Sequence, residues 1–231
     1  MVKVSAGSYD LNKWLFGGYE NDIVSVIYGG PGSGKTNFCM LAAVSQAKKG
    51  NKVIFIDTEG GFSSERVKQL VNADKAEVEK VLKNILLLNP TNFTEQKDAF
   101  KKLNEYLKDQ VSLIVVDGMT ILYRLDFAAA KDKDYNSLSK INAELVSQMK
   151  TLAEIARKKQ IPVLVTNQVY NWQDERRMVG GDILNYWGKC IIELVNDNGK
   201  RIAFLKKHRS LKEKELEFKI VDGGIKKAGW I

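Results

Sequence analysis

The sequence predicts an α/β fold, with a mostly parallel central sheet flanked by helices and an antiparallel extension at the C-terminal end. Three observations carry this. The runs at residues 23–28, 53–56, 85–88, 113–116 and 162–165 are almost continuously apolar, the pattern of strands buried on both faces of a parallel sheet. Segments with helical spacing lie between them, as in alternating βα units. After residue 190 the helical spacing stops, and short strand-like runs follow one another through turn residues.

Taken in order, residues 1–22 are a short lead-in, with one or two helical turns at 8–15 stopped by Gly17 and Gly18. The strand at 23–28 runs into Gly29-Gly30-Pro31-Gly32-Ser33-Gly34-Lys35-Thr36, and a helix follows from Asn37 to a stop at Gly50. The next strand ends in Asp57-Thr58-Glu59-Gly60-Gly61, and Ser63 or Ser64 caps another helix with Glu65 in its first turn. Asn89-Pro90 closes the strand at 85–88. Phe100, Leu103 and Leu107 then share a helix face.

The strand at 113–116 ends at Asp117. The mixed charges of residues 126–137 read as a surface loop. Leu138, Ile141, Leu145, Met149, Leu152 and Ile155 mark a long amphipathic helix finished by Arg157, Lys158 and Lys159, cations suited to a helix C-terminus. After a strand that ends at Gln168, residues 169–189 show little periodicity and read as a long functional loop. Strands at 191–195, 201–205 and 215–221 finish the chain, the first two joined by a turn at 196–199.

This is the organisation of one domain over residues 1–231, and 44% apolar content suffices for a large core. No run reaches the ~18 apolar residues of a membrane span, and the N-terminus lacks the shape of a signal peptide, so the expected setting is soluble and cytoplasmic with no membrane partner. Cys39 and Cys190 have no metal-ligand spacing and read as reduced core residues. A net charge of +8 and a pI near 9.3 suit a polyanionic partner.

The stretch from Gly29 to Thr36 fits G-x-x-x-x-G-K-[ST] in the strand-to-helix context that its mechanism needs. Glycines let backbone N–H groups close on an anion, and the helix start adds partial positive charge. Lys35 reaches the β- and γ-phosphates of ATP and Thr36 ligates Mg²⁺, whereas the bland alternative is a glycine-rich turn without ligand. Ligands of open α/β sheets lie at the carboxyl ends of the strands, where Glu59, Asp117 and Gln168 also fall.

Asp117 suits Mg²⁺, against an aspartate that merely caps a loop. Glu59 suits activation of the attacking water, against a cap for the Ser63 turn or a ribose-binding carboxylate. Gln168 is placed to sense the γ-phosphate.

The phosphate loop, the stretch Phe55-Ile56-Asp57-Thr58-Glu59-Gly60, residues 113–120 with Tyr123-Arg124, and Val165-Thr166-Asn167-Gln168-Val169 resemble, in order and spacing, the ATPase core of RecA-type recombinases. The likeness covers nearly the whole chain and is closest to an archaeal paralogue branch of that family. It implies a RecA-like P-loop ATPase fold, phosphate and Mg²⁺ roles for Lys35 and Thr36, a Walker B role for Asp117, and water activation by Glu59. It also implies that Asn37 lies in the nucleotide site and that Arg66 stacks on adenine. Gln168 would couple nucleotide state to a second DNA-binding loop at 169–189, which contains Arg176 and Arg177; residues 126–137 would be the first such loop.

Only 28 residues precede Gly29, so the N-terminal helical DNA-binding domain of the full recombinases and the linker whose phenylalanine docks on a neighbour are not expected. The run Lys206-Lys207-His208-Arg209 reads as a DNA-backbone contact, with a solvated charged turn as the alternative, given Glu213, Glu215 and Glu217 nearby. Trp172, Tyr186 and Trp187 suit either stacking on bases or anchoring of a loop.

The resemblance implies a DNA repair and recombination accessory protein that binds ATP and DNA, hydrolyses ATP weakly and assists a full-length RecA-type recombinase. Its implied partners are single-stranded or branched DNA, that recombinase, a junction resolvase and a second copy of itself. One alternative is a filament-forming, DNA-dependent ATPase with its own strand exchange; another is a small-molecule P-loop kinase.

Overall fold

The computed structural model describes residues 2–107, 110–130, 135–172 and 175–229. The lead-in comprises β1 (Lys3–Val4), α1 (Tyr9–Trp14) and β2 (Tyr19–Glu20), followed by β3 (Val24–Gly29), α2 (Lys35–Lys48) and β4 (Lys52–Asp57). Next come α3 (Ser64–Val71), α4 (Lys75–Lys83), β5 (Ile85–Leu88), α5 (Phe93–Tyr106) and β6 (Val111–Asp117). The chain continues through α6 (Ile121–Ala130), α7 (Tyr135–Lys159), β7 (Val163–Asn167), β8 (Val169–Trp172), β9 (Glu175–Met178) and α8 (Gly181–Trp187). It finishes with β10 (Gly188–Asp197), β11 (Lys200–His208), β12 (Lys214–Val221) and β13 (Gly224–Lys227).

Among the described residues, nine strands form one sheet in the order β13-β12-β11-β10-β3-β7-β6-β4-β5. The pairs from β10 across to β5 are parallel. Those from β10 to β13 are antiparallel. Alternate strand residues feed two cores. Ile27, Val53, Phe55, Leu113, Val115 and Leu164 pack with α2 and its neighbours, while Val24, Val26, Ile54, Ile56, Ile114, Val116, Val163 and Val165 pack with α5 and α7. Burial on both faces is why these strands are apolar throughout.

The lead-in belongs to the first core. Ser8 caps α1 by accepting from the Leu11 N–H, and Leu11, Leu15 and Tyr19 are buried there. Cys39 and Cys190 are buried free thiols, as the sequence suggests. Among the described residues no helix is long and apolar enough to cross a membrane.

Two segments depart from the loop readings. Much of 126–137 is helical, since α6 runs to Ala130 and α7 begins at Tyr135, while Lys131, Asp132, Lys133 and Asp134 lie outside the described residues. The three alanines favour helix, and Tyr123 and Phe127, one turn apart, bring their rings within 5.6 Å. The segment at 169–189 is likewise ordered into the β8–β9 hairpin and α8. Those elements are short and their apolar residues few, so no period shows in the sequence. Helix α4, which Asp74 caps and which buries Val78 and Val81, is a further element not expected from the sequence.

Candidate functional site

β3 delivers the phosphate loop at the carboxyl edge of the sheet. Gly29 lies so close to β10 that a Cβ there would meet the Leu194 carbonyl oxygen at 2.2 Å, and Gly34 has φ +107°, so both positions need glycine. α2 starts at Lys35 with no side chain capping its first N–H groups, which leaves them facing the loop. The Lys35 ammonium is folded back onto the Gly29 and Gly30 carbonyls, 3.0 Å from each. Burial pulls its pKa below the ordinary lysine value, against the opposing pull of the Glu59 and Asp117 charges. The Ser33 hydroxyl is buried with no hydrogen-bond partner among the described residues.

The strand ends beside the loop converge on it. Asp117 accepts from the Thr166 hydroxyl at 2.6 Å through Oδ1, and that hydroxyl in turn accepts from the Gly118 N–H at 2.7 Å. The Oδ2 atom of Asp117 is buried without a hydrogen-bond donor among the described residues. A Cβ placed on Gly61 would lie 3.2 Å from the Thr36 hydroxyl and 3.5 Å from Asp117 Oδ2, so a small space separates these two oxygens from the Gly61 backbone. Burial raises the Asp117 carboxyl above its ordinary value, and the Thr166 and Thr36 hydroxyls act against that rise. A buried carboxylate oxygen beside a hydroxyl is a donor set suited to a hard cation such as Mg²⁺.

Asp57 was not singled out in the sequence, yet it shapes the neighbouring loop. Its Oδ1 accepts from the N–H groups of Glu59, Gly60 and Gly61 at 3.1, 2.9 and 3.2 Å, and its Oδ2 from Phe62 at 2.8 Å. This winds the chain tightly enough to expose Glu59 at the rim. The Gln168 amide donates to Glu59 Oε2 at 3.1 Å, so two of the predicted catalytic residues meet. Gly118, with φ +89°, backs the same place; a Cβ there would strike Thr58 and Glu59.

Gln168 also stands at the base of the β8–β9 hairpin. Its carbonyl accepts from the Val179 N–H at 3.1 Å, and the Asn167 amide donates to the Val179 carbonyl at 2.6 Å. The Thr120 hydroxyl bonds Asn167 in turn. The hairpin is thereby tied at both ends to the strand edge that carries Asp117.

Arg66 lies across the start of α2 and the β12–β13 turn. It donates to Asn37 Oδ1 at 2.9 Å, to Gln69 at 2.7 Å, and to the Val221 and Asp222 carbonyls at 2.9 and 3.1 Å. These four bonds fix the guanidinium, and Asn37 joins the site through it.

The four side chains of the basic run at 206–209 have different surroundings. The His208 ring is buried, its side chain 2% exposed, and its Nδ1 accepts from the Ser210 and Leu211 N–H groups. Arg209 forms a two-pronged bond to Asp22, at 2.7 and 3.0 Å, and a further bond to buried Glu20. Glu20 also accepts from the Ser210 hydroxyl at 2.9 Å. Burial alone would raise the Glu20 carboxyl, but these hydrogen bonds and the neighbouring charges bring it below its ordinary value. Arg209, next to the end of β11, thereby ties it to the lead-in through Glu20 of β2 and Asp22, with the His208 ring 3.9 Å from the Glu20 carboxylate.

Lys206 and Lys207 are exposed. Lys207 reaches the Asn185 carbonyl at 2.8 Å, and the Lys189 ammonium sits 5.9 Å from the centre of the Tyr186 ring, itself 72% exposed. Arg177 is exposed on β9, while the side chains of Trp172 and Arg176 lie outside the described residues.

The Rad51 family pattern matches residues 1–228. The chain is 42% identical over 226 residues to the DNA repair and recombination protein RadB of Methanobrevibacter smithii, covering 93% of this chain and 92% of that protein. It is 39% identical to the protein of the same name from Methanocaldococcus jannaschii, covering 93% and 98%. For the one from Methanothermobacter thermautotrophicus the figures are 38%, 93% and 92%.

Proposed function

This chain belongs to the Rad51 family, as an archaeal RadB-type paralogue of the RecA class, and on that premise we propose that it is a DNA repair and recombination protein whose nucleotide state controls its grip on DNA. In this reading it binds ATP at the phosphate loop, hydrolyses it weakly and assists a full-length RecA-type recombinase. The observation that carries the reading is the buried Oδ2 of Asp117 beside the Thr36 hydroxyl at the mouth of the loop.

Thr36 and Asp117 would hold Mg²⁺, which supplies charge neutralisation on the β- and γ-oxygens when bound. The loop N–H groups and the start of α2 orient the phosphates. Lys35 exchanges the Gly29 and Gly30 carbonyls for phosphate oxygens, a gain because a cation–anion contact replaces two neutral acceptors. Glu59 takes the proton of the attacking water, and the Gln168 amide holds the Glu59 carboxylate in place.

Gln168 has an alternative partner in a γ-phosphate oxygen. A change of partner would be felt at Val179, where the hairpin is pinned. Adenine stacks on the fixed guanidinium plane of Arg66. For DNA, the exposed Tyr186 ring beside Lys189 and Lys207, together with exposed Lys206 and Arg177, supports stacking combined with backbone contact.

The test is ATP turnover with and without single-stranded DNA, repeated with the cognate recombinase, for the wild type and Lys35→Ala. Slow turnover that DNA or the recombinase alters, and nucleotide binding lost in the variant, are expected. Equal ATP affinity in the two proteins would refute the site. Long regular filaments formed with ATP and DNA by this protein alone would favour a strand-exchanging recombinase over an accessory.

A further inference from the structure

The outer side of the phosphate loop is held from an unexpected direction. β10 continues past the end of β3, where Leu194 pairs with Gly29, and turns back into β11 alongside the loop. Asn196 and Arg201 are direct cross-strand partners in that hairpin. Both reach the same atom: the Asn196 amide and the Arg201 Nε each donate to the Gly32 carbonyl oxygen at 3.4 Å. Each bond is long and weak alone, but cross-strand pairing presents the two donors together.

Gly32 has φ +68°, a conformation open to glycine, and an unrestrained glycine peptide turns over at little steric cost. The carbonyl of Gly32 and the N–H of Ser33 belong to one planar peptide and point in opposite directions. With the carbonyl drawn outward, the Ser33 N–H is aimed into the loop, where it meets the Gly30 carbonyl at 3.3 Å. That carbonyl is one of the two that Lys35 also touches.

We propose that Asn196 and Arg201 are positioning residues for the phosphate loop, a clamp that fixes the Gly32–Ser33 peptide with its N–H turned toward the bound phosphates. The inference rests on the nucleotide reading above and adds to it a role for the C-terminal hairpins. Strand β12 completes the support from below, since a Cβ on Gly34 would meet Ile220 at 3.2 Å and Phe218 packs edge-on against Phe38 of α2. Loop order is therefore shared between the α/β core and the antiparallel extension.

The experiment measures the affinity of a fluorescent ATP analogue, with Mg²⁺, for wild type, Arg201→Ala, Asn196→Ala, the double variant, Arg201→Gln and Arg201→Lys, with thermal unfolding as the check on folding. A protein without nucleotide affinity in the wild type would overturn the functional reading itself. Given wild-type binding, the expected results are a loss of about tenfold in Arg201→Ala at unchanged Tm, and a double variant weaker by less than the product of the single losses. Arg201→Gln, which keeps an N–H donor without the charge, should recover part of the affinity. Unchanged affinity in Arg201→Ala would overturn the clamp. So would full recovery by Arg201→Lys with none by Arg201→Gln, because charge on the phosphates and not the held peptide would then be at work.

Discussion

Replacing Asp57 by asparagine tests whether one buried carboxylate organises the loop that carries Glu59. Asp57 is 4% exposed, and its carboxylate accepts four backbone N–H groups at 2.8 to 3.2 Å. Asparagine matches its shape but has a single acceptor oxygen. In the less costly orientation that oxygen keeps the N–H groups of Glu59, Gly60 and Gly61, and the amide nitrogen is turned on the Phe62 N–H, donor against donor.

One charge-assisted bond is lost and three are reduced to neutral strength, which together cost about 3 kcal/mol. For a domain of this size each kcal/mol moves Tm by about 2–4 °C, so Asp57→Asn should melt about 6–12 °C lower. Thermal unfolding followed by circular dichroism reads the stability. Hydrogen exchange at the amides of residues 59–62 reads the loop, and all four should exchange faster. A Tm within about 2 °C of wild type together with unchanged exchange would refute the idea that Asp57 holds this loop.

The Asp117 carboxyl has its pKa raised by burial from the ordinary 3.8, so the folded state binds that proton more tightly than the unfolded state. The resulting stabilisation is complete below the ordinary value and is lost as pH rises through the folded one. Without ligand, Asp117→Asn should therefore be more stable than wild type at pH 7, by about 2–4 °C for about 1 kcal/mol of relieved carboxylate burial, with the gap closing toward pH 4. The same variant should lose Mg²⁺-dependent nucleotide affinity, and a lower Tm at pH 7 would contradict the account. Arg209→Ala leaves Glu20 buried without its main counter-charge and should cost about 3 kcal/mol in urea unfolding. The double variant Lys206→Ala, Lys207→Ala should instead keep its Tm while the salt slope of single-stranded DNA binding falls by about 1.4; equal slopes would remove these lysines from the DNA surface.

Much was legible in the chain because the physics there is local. Buried parallel strands have to be apolar along their whole length, so residues 53–56 and 113–116 announce themselves. The pattern G-x-x-x-x-G-K-[ST] has its glycines and lysine at set intervals, so Lys35, Thr36 and the strand-end carboxylates Glu59 and Asp117 stand out as candidates on reading along the sequence. The hairpin at 169–178 and helix α6 were not, since short or alanine-rich elements leave no period to read and owe their order to packing and to pins such as Asn167 on Val179.

Residue pattern and motif spacing were enough to locate the sheet, the glycine-rich loop and the order of the polar strand ends. Tertiary structure alone decided which donors meet which acceptors. It tied Arg209, in a contiguous cationic run, to the lead-in, where it reaches Glu20 across 189 positions. It also brought Arg201 to Gly32 across 169. Hydrogen bonds are short-ranged and directional, so a partner that the chain separates by most of its length can be identified only after the sheet order has folded the two together.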